Sequence, residues 1–191
     1  TTAPSRRPYP ESLSGARSVA SPDVGERFDA VLFDAGGVLV LPDPTVLAPL
    51  LAPYGGSTEV GAHRRAHYAA MAVKSMVGAG ETDWHEYNVA YVEAVGVDAH
   101  MVEHAAVVLH HTRTAHLWRW PIPESLAALE QLAEAGVPMG VVSNASGQIE
   151  EVLRISAVCS VAASSAGESA AELGAIVGTA MRCIVDSHVV G

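Results

Sequence analysis

The chain has 191 residues, enough for one domain with a real core or one domain carrying an insertion. Hydrophobic residues make up 49% and charged residues 17%, which excludes the disordered and fibrous classes. Acids outnumber bases 21 to 11, for a net charge of −10, so no clustered basic face is available for nucleic acid, and a single base, Lys74, is a lysine.

Residues 1–27 are rich in Ser, Pro, Ala and Arg without apolar periodicity and are expected to form a flexible tail. They hold no apolar block that could serve as a signal-peptide core. Nowhere does an uncharged apolar run approach the roughly 18 to 20 residues of a membrane span, so neither a membrane nor a nucleic acid is expected as partner. Order is expected from about Arg27. Phe28 to Asp34 is an apolar run that ends on a carboxylate and is followed by Ala35-Gly36-Gly37, the pattern of a buried strand closing in a tight glycine turn.

Residues 44–121 show no convincing strand and are expected to be a helical insertion. Its periodic positions are Tyr68, Met71, Ala72 and Met76, then Trp84, Tyr87, Tyr91 and Val95, then Met101, Ala105, Val108 and Thr112. Lys74 falls in this region and is expected to be a solvated helix charge. Trp84, Trp118 and Trp120 are expected to be core, or alternatively to close over a ligand. His100 and His104 have helical ligand spacing but no accompanying Glu, which favours ordinary helix histidines.

Pro123 and Glu124 open a helix with Leu126, Leu129, Leu132 and Ala133 on one face, closed by Gly136. Val137 to Val142 is a second buried strand, tipped by Ser143 and Asn144, and Ile149, Val152 and Leu153 follow at helical spacing. Helix, strand, polar tip and helix in this order predict an α/β fold with a Rossmann-like parallel sheet. The layout is then a tail at 1–27, a core at 28–43 plus 122–191, and a helical cap at 44–121. Cys159 and Cys183 are too few for a disulfide framework, which points to a reduced, cytoplasmic protein.

Asp34 and Ser143 both stand at the carboxyl ends of strands, where ligands bind in open α/β sheets. A carboxylate there can act as a nucleophile, with Gly36 and Gly37 letting an anion approach the backbone N–H groups. A lone Asp-x-Gly-Gly is more often a turn or N-cap; the pairing of two strand tips moves the reading toward chemistry.

At these residues the sequence resembles the haloacid dehalogenase superfamily, helical-cap type. Residues 31–44, VLFDAGGVLVLPDP, are similar to its first motif, and residues 137–147, VPMGVVSNASG, to its second. The resemblance implies a haloacid dehalogenase-like core with an all-helical cap and a phosphatase-type hydrolase acting on a small phosphorylated molecule. Asp34 would be the nucleophile and a Mg²⁺ ligand, and the Gly36 carbonyl a second Mg²⁺ ligand. Ser143 would bind phosphate together with the Gly37 N–H, with Asn144 in support. Phosphatases of this family carry a second Asp where this chain has Gly36, so the usual proton donor is missing. The 2-haloacid dehalogenases carry a Tyr there, which places that activity behind the phosphatase reading.

After Asn144 the chain is shorter than two further strand–helix–strand units of roughly 60 residues require, and no lysine follows Ser143. Two alignments of this part compete. In one, Cys183 to Gly191 is the third strand and the loop preceding the family's Lys-Pro-Asp-Pro segment, which would make the chain truncated. In the other, Gly167 to Glu172 is a degenerate metal motif supplying Glu168 and Glu172, and Met181 to Asp186 is the last strand. The alternative to an enzyme is an inactive member that keeps the fold or a binding role, and an incomplete sheet would favour a homo-oligomer.

Overall fold

The computed structural model describes residues 28–80, 82–113, 115–145, 147–161 and 178–190; the expected tail at 1–27 and both Glu168 and Glu172 lie outside them. Strand β1 (Val31–Phe33) opens the described chain. The turn after it is held by the Ala35 carbonyl, which accepts from the N–H groups of Val38, Leu39 and Val40 at 3.3, 2.8 and 3.0 Å. Gly37 sits in that turn at φ 78°, a conformation a side chain would resist.

Strand β2 (Val40–Pro42) leads into helix α1 (Pro44–Leu51), capped by Asp43, whose Oδ1 accepts from the Thr45 N–H at 2.8 Å. Helices α2 (Val60–Met76), α3 (His85–Ala94) and α4 (Val102–Thr112) follow. Strand β3 (Trp118–Pro121) then returns antiparallel to β2. This strand corrects the expectation that residues 44–121 contain none. It is four residues long, ends in Pro and alternates Trp with Arg, too little for a period-two signal to show. The neck it forms with β2 is pinned by Asp43, whose Oδ2 accepts from Arg119 Nε at 2.8 Å. Burial alone would raise the Asp43 pKa, but the hydrogen bonds from Thr45 and Arg119 outweigh it and hold the carboxyl below its usual range.

Helix α5 (Pro123–Glu134) precedes strand β4 (Met139–Ser143), and helix α6 (Ile149–Ile155) follows it. Strands β5 (Cys159–Val161), β6 (Thr179–Met181) and β7 (Cys183–Asp186) and the short helix α7 (Ser187–Val190) complete the order. The central sheet is parallel, ordered β1-β4-β7, with Val31 opposite Met139 and Ser143 opposite Asp186. The fold is therefore α/β with a Rossmann-like parallel sheet and a helical insertion. Residues 183–186 take the third place in the sheet, as the first alignment has it. The second alignment's single strand over 181–186 is instead two strands, β6 and β7, in different sheets, because Met181 pairs with Val161 and Ile184 with Val141.

Two hydrophobic cores form. One joins Leu47, Leu51, Tyr87, Tyr91 and Leu109 of the helical part, and the other joins Leu39, Leu129, Met139, Val141 and Leu153 around the sheet; Trp118 packs against both. Each fully buried aliphatic side chain of this kind is worth roughly 1.5 to 3 kcal/mol. Among the described residues no helix is long and apolar enough to cross a membrane.

Helix α2 is where its sequence pattern misleads. Met76 is 78% exposed and Tyr68 and Met71 are half out, while the buried face is Ala62, Ala66, Ala70 and Lys74 with His63 and His67. The alanines recur at four-residue steps, and their small side chains let α2 approach α3 closely. His63 fits this face because both ring nitrogens are used: Nε2–H donates to the Ser57 carbonyl at 2.8 Å and Nδ1 accepts from the Tyr91 hydroxyl at 2.9 Å.

Candidate active site

Asp34 follows the last residue of β1, at the carboxyl end of the central sheet. Its Oδ1 accepts from the Ala35 N–H at 2.6 Å, which fixes the carboxylate, and the side chain stays exposed. Ser143 is buried at the matching end of β4, and Asn144 follows it. Asp34, Gly36, Ser143 and Asn144 all line one cleft of about 580 Å³. Gly37, expected in the same cradle, is not among the lining residues. Its N–H is already committed to the Val40 carbonyl at 2.8 Å, and its own carbonyl accepts from the Tyr68 hydroxyl at 3.2 Å, so it shapes the turn. Asp186, at the tip of β7, is buried and ties the loop at Gly147 to the start of α7, accepting from the Gly147 N–H at 2.8 Å and the His188 N–H at 3.0 Å.

The far side of the cleft comes from the helical part, and here the sequence reading needs a second correction. Lys74 is buried, not solvated, and it lines the same cleft as Asp34. Its Nζ donates to the Gly80 carbonyl at 2.6 Å and to the Asp83 carbonyl, and it lies 4.2 Å from the centre of the Trp84 ring. Arg113, just past α4, lines the cleft as well. Its guanidinium carbon is 4.1 Å from the Trp84 ring centre and 4.8 Å from that of Tyr87, and Nη2 donates to Asn88 Oδ1. Burial pushes the Arg113 pKa down from its ordinary value, with Tyr87 opposing that shift. Trp84 and Trp118 thus serve core and cleft at once.

Sequence reasoning missed Arg113 and His188 as cleft residues and misplaced Lys74. For Lys74 the signal exists: the Ala62-Ala66-Ala70 step of four leads directly to it. For Arg113 no local pattern marks it, since its surroundings come from the distant Trp84, Tyr87 and Asn88.

Behind the glycine turn stands His67. Its Nδ1 is 2.9 Å from the Tyr87 hydroxyl, its ring meets Trp118 edge-on at 5.2 Å, and a Cβ added at Gly37 would stand 3.3 Å from its Nε2. Desolvation, with the Arg113 charge adding to it, pushes the His67 pKa down to about 4.

Among the described residues Asp34 is the one carboxylate lining the cleft, and no three His, Cys, Asp or Glu side chains gather as a metal-binding group. Mg²⁺ takes six oxygen ligands in near-octahedral geometry and is usually held by one or two carboxylates, with water and substrate phosphate completing the shell. Asp34 and the Gly36 carbonyl would supply the protein's part of that donor set. Lys74 and Arg113 bring positive charge to the same cleft.

No protein-family profile and no curated protein sequence matches the chain. Among solved structures it is similar to an L-2-haloacid dehalogenase, with 20% identity and a TM-score of 0.37 over 86% of this chain and 66% of that one.

Proposed function

We propose that the chain is a phosphatase-type hydrolase in which Asp34 attacks the phosphorus of a small phosphomonoester. The Asp34–phosphorus bond forms as the bond to the leaving oxygen breaks, and that oxygen takes up a proton. Water then attacks the aspartyl phosphate and releases inorganic phosphate, returning the carboxylate.

The observation that carries the reading is the cleft, where an exposed carboxylate held by one N–H shares its space with Ser143, Asn144 and two cations. A carboxylate approaching a phosphate dianion meets like-charge repulsion, and Lys74 and Arg113 offset it on the substrate side. The Ser143 hydroxyl donates to a phosphoryl oxygen. With Gly36 where an acid would stand, the leaving oxygen draws its proton from water or His188, which favours phosphates of acidic alcohols. The purified chain with Mg²⁺ should therefore turn over 4-nitrophenyl phosphate, and Asp34→Asn should abolish this.

A second reading, a fold that binds an anion without turning it over, is favoured by the same glycine. Retained phosphate binding with no turnover of any phosphomonoester would select it.

A further inference from the structure

Gly36 and Gly37 follow Ala35, and glycine has the widest backbone freedom of any residue, so this turn needs ties to keep one conformation. Some of the ties are internal. The Ala35 carbonyl takes three N–H groups, and the Gly37 N–H donates to the Val40 carbonyl at 2.8 Å. Others come from helices on either side. Ser125 of α5 donates its hydroxyl to the Val38 carbonyl at 2.5 Å, and Tyr68 of α2 donates its hydroxyl to the Gly37 carbonyl at 3.2 Å. The Leu39 carbonyl accepts from the Ile122 N–H at 3.0 Å. Among the described residues, the Gly36 carbonyl is the one from Ala35 to Val40 that this web of bonds leaves to the cleft.

A trans peptide sets its C=O antiparallel to its N–H, and the described backbone has no cis bond. With the Gly37 N–H drawn across the turn to Val40, the Gly36 carbonyl is turned outward, and Gly36 lines the cleft together with Asp34. This orientation depends on the torsions of Gly37, which stands at φ 78° and lacks the Cβ that would restrict them. Tyr68 acts at that point, because its hydrogen bond holds the peptide plane on the far side of Gly37. The preceding residue of α2, His67, fills the adjoining space: a Cβ added at Gly37 would stand 3.3 Å from its Nε2. Two successive residues of the helical part therefore grip one glycine of the nucleophile turn. Tyr68 is not among the residues that line the cleft, so it reaches the site only through this backbone.

We propose that Tyr68 is a positioning residue: its hydroxyl, donated from the helical part, holds Gly37 so that the Gly36 carbonyl stays directed at the site where it and Asp34 would hold Mg²⁺. The inference rests on the phosphatase reading of Asp34 and deepens it. It makes the seating of the helical part a condition for metal binding at the strand tips.

Tyr68→Phe keeps the ring and deletes the hydroxyl. The test titrates Mg²⁺ alone into the full chain, follows the Gly36 and Gly37 amide resonances, and measures the melting temperature in parallel. The loss of one neutral hydrogen bond should raise the Mg²⁺ dissociation constant about two- to tenfold. At subsaturating Mg²⁺ the variant should turn over 4-nitrophenyl phosphate more slowly, and excess Mg²⁺ should restore kcat. A lower melting temperature with unchanged Mg²⁺ affinity makes Tyr68 a structural tie only and overturns the assignment. So does an absence of Mg²⁺ binding in the unaltered chain, or a loss of kcat that excess Mg²⁺ leaves in place. Asp34-dependent turnover with unchanged Mg²⁺ affinity in Tyr68→Phe defeats this inference alone. A Mg²⁺ affinity that depends on Tyr68, without Asp34-dependent turnover, defeats only the phosphatase reading.

Discussion

Gly36 decides what kind of leaving group this cleft can serve. A Cβ built there would meet the Trp118 ring at 3.5 Å, ordinary contact, and the backbone is not in the left-handed region, so a side chain fits. Gly36→Asp places a carboxylic acid beside Asp34 and should raise turnover of alkyl phosphates by about 10²- to 10⁴-fold, the usual worth of general acid catalysis. The gain should be smaller for 4-nitrophenyl phosphate, whose leaving group needs little protonation. Equal gains on both substrates, or none, would show that proton transfer at this position does not limit the reaction. The residue pair at the strand tips, Asp34 and Ser143, was legible from sequence because each follows an apolar strand. Arg113 was not, since its role depends on rings contributed by another helix.

At the scale of elements, α2 ties the helical part to the nucleophile turn through a neutral imidazole. His67 packs against Gly37 and Trp118, and its pKa of about 4 lies below the 6.5 of a free imidazole. Between these values the unfolded chain binds a proton that the folded chain does not, so stability falls as pH drops from about 6.5 toward 4. The loss from this group is on the order of 3 kcal/mol, with His63, also shifted down chiefly by burial, adding to it. Melting temperature measured across this range should fall steeply, and His67→Gln should flatten the slope. An unchanged slope in that variant would mean that His67 charges freely in the folded state. The existence of α2 was legible in the sequence and its buried face was not. Large apolar residues suggest the core side by transfer free energy, but here close helix packing selects alanine instead.

At the scale of the whole molecule, the central sheet is buried on one side. Leu129, Leu153, Met139 and Val141 fill the inner face, whereas Leu32 is 65% exposed and Val142 44% exposed on the other. Leu153→Ala should cost about 2 to 5 kcal/mol in urea unfolding, while Leu32→Ala should stay within about 0.5 kcal/mol. Similar losses for the two would mean that the outer face is covered.

The order of strands and helices around this sheet could be read from alternating apolar runs and polar tips. The neck strand β3 could not, because four residues paired to a distant partner leave no local period. The cleft between the two parts of the fold was equally hidden, since it exists only once α2 and the end of α4 are set opposite the strand tips.

The central claim is that Asp34 becomes phosphorylated. Hydroxylamine added during turnover of 4-nitrophenyl phosphate converts an aspartyl phosphate to a hydroxamate, which peptide mass spectrometry locates. The account predicts a hydroxamate at Asp34 and none in Asp34→Asn. Turnover without modification of Asp34, or turnover that survives Asp34→Asn, would contradict it.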